Sequence, residues 1–112
     1  MAMKKNPLNL NPLQLRTLTL FQVLARIEEV AKPAENGEVE VTQLPHAHGD
    51  HFHLGEYVVM SKDATGLNNP AVWAVLERKG MIRSNIPHSV FITKEGLDYD
   101  CGMQEILHGS NH

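Results

Sequence analysis

Four histidines fall within eight residues, in the run His46-Ala47-His48-Gly49-Asp50-His51-Phe52-His53. Imidazole is a good ligand for Zn, Ni or Cu. If Gly49-Asp50 forms a two-residue hairpin turn, His48 faces His51, Ala47 faces Phe52 and His46 faces His53. Side chains alternate between the faces of a strand, so all four imidazoles then project from one side. Directly opposed Cβ atoms stand ~4.5–5.5 Å apart. Two imidazoles at that spacing can share a divalent cation through bonds of ~2.0–2.1 Å. Asp50 can orient one ring or add an oxygen ligand. The spacing therefore predicts a transition-metal site built from His46, His48, His51, His53 and Asp50. The plainer alternatives are a polar hairpin face with its rings in solvent, or a pH-sensitive surface. His88, His108 and His112 join the cluster only by tertiary approach.

Other chemistries find less support. No Cys or His-Glu-x-x-His helix lies near the cluster, and no base for a metal-bound water is evident. Cys101 has no activating neighbour, and Asp100 beside it disfavours the thiolate. Ser89 follows His88, but adjacency in sequence is not a nucleophile–base geometry. Gly80, Gly96 and Gly102 stand in separate contexts, so no phosphate-cradling loop exists. Glu28-Glu29 and the Asp98/Asp100 pair read as ordinary surface carboxylates. The expectation is a protein that binds and does not catalyse. Arg78, Lys79, Arg83 and Lys94, with Lys62 as a neighbour, are the candidate phosphate contacts for nucleic acid. The net charge of −3 and pI near 6.1 mean that such contact must come from a local patch. Trp73 reads as a core or interface anchor in preference to a base-stacking platform.

These residues need elements to hold them. Asn11-Pro12 is a cap followed by proline at the first helical position. Leu13, Thr17, Leu20, Leu24, Ile27 and Ala31 then recur at helical spacing, and Pro33 ends the pattern. Leu15, Leu18, Phe21, Val23 and Val30 widen its apolar arc. An arc that broad is either deeply buried or shared with a second copy. Leu20, Phe21, Leu24 and Ile27 are therefore candidates for a homodimer interface. After the Asn36-Gly37 turn, residues 38–42 alternate as a strand, and a second strand is expected over 51–61. The apolar side of this ribbon (Val39, Val41, Ala47, Phe52, Leu54, Val58 and Met60) would pack on the first helix. Asn69-Pro70 repeats the helix start, with Val72, Val75 and Leu76 on one side. Gly80 is placed to close that helix, with Met81 folding back on Leu76. Residues 82–84 and 90–92 read as strands around the Asn85–His88 turn, and Thr93 caps a short helix over 94–99.

The result is an α+β chain of order helix, β-hairpin, helix, β-hairpin, short helix. The 112 residues fit one domain, with an arm over 1–10, a core over 11–99 and a tail over 100–112. A single cysteine rules out an intramolecular disulfide. Apolar runs fall short of the ~20 residues of a membrane span, and no signal peptide is read at the N-terminus. The expected location is the cytoplasm, with no membrane partner.

The helix ending Leu76-Glu77-Arg78-Lys79-Gly80-Met81-Ile82, followed by a small hairpin ending Ile92-Thr93-Lys94-Glu95-Gly96-Leu97, has the look of a winged helix. The long hairpin of 38–61 stands where such folds carry an extra helix. Asn9-Leu10 with Arg16-Thr17-Leu18 and Val23-Leu24-Ala25-Arg26, and later Met81-Ile82-Arg83-Ser84 with Ile92–Leu97, resemble the opening and closing segments of the YjhX-type family of small bacterial proteins. The two segments cover about half the chain. That resemblance implies a winged-helix-like fold and an inhibitor-type activity toward a DNA topoisomerase. The expected function is a non-enzymatic binding or regulatory protein acting on DNA or a DNA-processing partner. The alternatives are a metal-binding or metal-responsive protein and a homodimeric interaction protein.

Overall fold

The computed structural model describes residues 6–85 and 89–109. It is an α+β fold, with three α-helices and two antiparallel sheets among the described residues. The helices are α1 (Pro12–Leu24), α2 (Pro70–Arg78) and α3 (Lys94–Asp98). The strands are β1 (Ala31–Pro33), β2 (Val39–Val41), β3 (His51–Leu54), β4 (Tyr57–Met60), β5 (Ile82–Asn85), β6 (Ser89–Ile92) and β7 (His108–Gly109). One sheet has the order β1-β2-β6-β5, the other β3-β4-β7.

Both long helices begin where the Asn-Pro pairs place them. Asn11 accepts from the Gln14 amide at 2.8 Å while Gln14 Oε1 accepts from the Asn11 amide at 2.9 Å, a reciprocal capping box. Asn69 Oδ1 accepts from the Ala71 amide. The end of α2 is the left-handed glycine closure the sequence predicts. Gly80 has φ +81°, and the Met81 amide donates to the Leu76 carbonyl at 2.9 Å.

Helix α1 is shorter than its apolar spacing predicts. It ends at Leu24, and the next amides make tight bonds, Arg26 to Val23 O and Ile27 to Leu24 O. The chain is then drawn away as a strand: Ala31–Pro33 pair with Val39–Val41, and the Thr42 amide reaches the Val30 carbonyl at 2.8 Å. The broad apolar arc of α1 is used within the chain. Leu18, Leu20 and Phe21 are wholly buried and Leu24 almost so, with Ile27 packed half-buried beside them. The dimer face drawn from Leu20, Phe21, Leu24 and Ile27 is therefore corrected: the first three have no surface left to offer a second copy.

The ribbon expected over residues 38–61 is also corrected. Its first strand, β2, does not pair with residues 51–61. It lies between β1 and β6, with Val39 opposite Ile92 and Val41 opposite Val90. Strand β3 instead turns back at Gly55-Glu56 and pairs with β4. Two Gly-led dipeptides compete to close this region, and both do so. Gly49 (φ +67°) closes a single bridge, His48 to His51, and Gly55 (φ +60°) closes a four-residue hairpin. The apolar alternation shifts as a result. Phe52, Leu54 and Val59 are buried, whereas Ala47 is exposed.

The second hairpin pairs β5 with β6 as expected; its turn residues 86–88, His88 among them, lie outside the described residues, as does His112. The arm and tail join the core. Leu10, Cys101 and Ile106 are buried, Asn6 bonds Tyr99 OH and the Leu10 backbone, and β7 adds a third strand beside β4.

Candidate functional site

Three of the four clustered imidazoles meet. The His48 amide donates to the His51 carbonyl at 2.7 Å across the Gly49-Asp50 turn. Ring centroids are 4.9 Å apart for His51–His53, 5.4 Å for His48–His53 and 6.4 Å for His48–His51. His51 and His53 alternate with buried Phe52 and Leu54, so the core fixes which way their rings point. His51 Nε2 and His53 Nε2 stand 3.2 Å apart. Two imidazole nitrogens on one tetrahedral ion at ~2.0–2.1 Å would be roughly 3.3 Å apart, so this pair has the span of a two-point chelate. Asp50 Oδ1 lies 3.3 Å from His51 Nδ1, a position that orients the ring and leaves Nε2 outward. As the side chains stand, no group of three His, Cys, Asp or Glu among the described residues is disposed to hold one ion. His48 would have to turn its exposed ring to become a third ligand.

His46 leaves this cluster. With the ribbon confined to the His48–His51 bridge, nothing sets His46 opposite His53. His46 instead lines a cleft beside α2.

The basic candidates do not form one open patch. Arg83 grips Glu38 through Nε and Nη2 and stacks over Phe91, its Cζ 4.6 Å from the ring centroid. That ion pair holds the Glu38 carboxyl below its ordinary range. Lys94 Nζ pairs with Asp98 at 3.0 Å, and Lys79 Nζ donates to the Leu8 carbonyl at 3.0 Å. Only Arg78 of the four lacks such a contact among the described residues.

Helix α2 buries Val72 and Leu76 and leaves Ala74, Glu77 and Arg78 exposed. Trp73 is half-buried, edge-on to Phe21 with centroids 5.3 Å apart, as an anchor should be. Beside it a cleft of about 610 Å³ opens between α2, the chain after β2 and the β5–β6 ribbon. Its walls include Val41, Leu44, Leu67, Trp73, Glu77 and Val90. The residue types were legible in the sequence. Their convergence was not, because it requires β2 to lie against β6, some fifty residues away.

Comparison with known proteins finds no matching family model, no matching curated protein and no matching solved structure.

The sole cysteine is placed for packing. Cys101 is buried, and burial pushes its thiol above the ordinary value, with Asp100 adding to the rise against hydrogen bonding with Thr19 and Gln22. A thiol held protonated is a poor nucleophile. No helix among the described residues is long and apolar enough to cross a membrane.

Proposed function

We propose that the protein is a non-enzymatic, winged-helix-like binding module acting on a DNA-linked partner. The observation that carries this reading is the strand order β2-β6-β5 beside α2. Helix α1, the 3-10 turn Thr65–Asn68 and α2 pack together, and the β5–β6 ribbon follows α2 directly. Helix α2 packs against β5 of the hairpin that follows it, which supports reading the pair as one recognition unit. Such a unit is a support for recognition and needs no catalytic group.

Charge favours a protein partner over bare duplex. Three of the four basic candidates are engaged by the chain's own carboxylates or a carbonyl, and the net charge is −3. Among DNA-processing proteins, the YjhX-type resemblance supplies a DNA topoisomerase as the first candidate, and such a partner implies a cytoplasmic location. The test pairs a plasmid-relaxation assay using purified topoisomerase with duplex binding across a salt series. Inhibition without salt-sensitive duplex binding supports the protein branch. Salt-sensitive binding that Arg78→Ala weakens supports the DNA branch. Neither effect at high micromolar protein overturns the reading.

A second reading rests on a separate observation, the 3.2 Å separation of His51 and His53 Nε2. In it the protein binds Zn, Ni or Cu through His51 and His53, with His48 completing the set. Titration of the metal-free protein with each ion tests it. Affinity no better than millimolar rejects it.

A further inference from the structure

We propose that the cleft beside α2 is a binding site for a small amphipathic organic cation, an apolar body carrying a protonated amine. The cleft holds about 610 Å³, within the ~300–1,000 Å³ of typical small-molecule sites. Val41, Leu44, Leu67 and Val90 give it apolar walls. Among the described residues its lining includes one carboxylate, Glu77, one imidazole, His46, and no lysine or arginine.

Glu77 is exposed and accepts a hydrogen bond from Ser84 Oγ at 2.7 Å, which steadies the carboxylate without neutralising it. Arg83, the preceding residue of β5, pairs with Glu38 and is attracted to Glu77 only at longer range. Glu77 therefore has no ion-pair partner within 4.0 Å among the described residues. A carboxylate at the edge of an apolar cleft selects for a cation and against an anion.

Trp73 supplies an independent reason. Its indole ring lines the cleft, and the face of an indole attracts an ammonium group. Phosphate-bearing ligands are disfavoured by the same carboxylate.

Trp73 is the only tryptophan in the chain, so its emission reports on the cleft directly. The experiment titrates the intact protein with phenylbutylamine, phenylbutanol and phenylbutyrate, which share one apolar body and differ in charge. The expected result is a saturable change with the amine at least about tenfold tighter than the alcohol, and the acid weakest. Glu77→Gln should bring the amine level with the alcohol while leaving the alcohol unchanged. Ala74→Phe, which fills the cleft from an exposed position, should abolish both. Amide shifts at Ala74, Ser84 and Val90 provide a second readout for a silent indole. No saturable response by either readout, affinity blind to charge, or an amine preference that survives Glu77→Gln overturns the proposal. Displacement of the bound amine by short duplex DNA would also overturn it, by showing that the cleft belongs to a nucleic-acid face.

Discussion

Gly96 meets the Met81 carbonyl so closely that a Cβ on residue 96 would stand 2.0 Å from the Met81 oxygen and 2.9 Å from its carbon. The approach fastens α3 to the entry of β5. Thr93 completes the joint: its Oγ1 donates toward the Gly80 and Met81 carbonyls and accepts from the Gly96 amide at 2.9 Å.

Gly96→Ala is therefore expected to destabilise the protein by ~1–3 kcal/mol or more, because backbone cannot yield as a side chain can. Gly80→Ala meets nothing within 4 Å and pays only for its φ of +81°, a cost of ~1–2 kcal/mol. Urea unfolding of both variants checks the ranking. A neutral Gly96→Ala would mean that α3 does not dock on the Met81 carbonyl.

Leu20→Ala tests where the apolar arc of α1 goes. Leu20 is wholly buried within the chain, so truncation should cost ~2–5 kcal/mol. The loss should be the same at every protein concentration. A loss that grows on dilution would return Leu20 to a subunit interface.

Much of this architecture was readable because it is local. Both Asn-Pro helix starts, the Gly80 closure, the Thr93 cap and the β5–β6 hairpin each depend on residues within a few positions of one another. The end of α1 was not readable, because its spacing continues to Ala31 although the helix stops at Leu24 and Ala31–Pro33 pair with β2. The partner of β2 was hidden for the same reason: Val39 opposite Ile92 is a long-range choice that alternation alone does not encode. The histidine cluster was half legible. The Gly49-Asp50 turn brings His48 to His51 as expected, but pairing across it stops at that one bridge, and His53 stands opposite Val58 of β4 with no pairing to His46.

The Glu38–Arg83 pair gives the stability curve an acid limb. Arg83 holds the folded-state pKa of Glu38 below its ordinary 4.5, so the unfolded chain takes up its proton first as pH falls. The stabilisation is thus fully present above about 4.5 and is lost as pH drops through the lower folded value. Glu38→Gln should flatten stability in that acid window. Arg83→Gln should do the same. Both substitutions should lower the neutral plateau, Arg83→Gln further, because it also removes the stacking over Phe91. Urea midpoints measured from neutral pH into acid check this. An unchanged acid limb in both variants would remove the pair as its source.

The histidines separate by position, which lets single substitutions divide the metal reading from general imidazole content. His51 and His53 present Nε2 atoms 3.2 Å apart, Asp50 orients the His51 ring, and His46 lies at the cleft instead. His51→Ala or His53→Ala should each lower affinity for Zn, Ni or Cu by more than about tenfold, since a two-point chelate becomes a single ligand. Asp50→Ala should act through ring orientation, by roughly tenfold or less. His46→Ala should change nothing. Calorimetric titration of the four variants checks the order, and repetition at lower pH should weaken binding, because protons compete for the same nitrogens. Equal losses for His46 and His53 would show scattered surface coordination and would dissolve the site, since only a cluster built by β3 distinguishes one imidazole from the next.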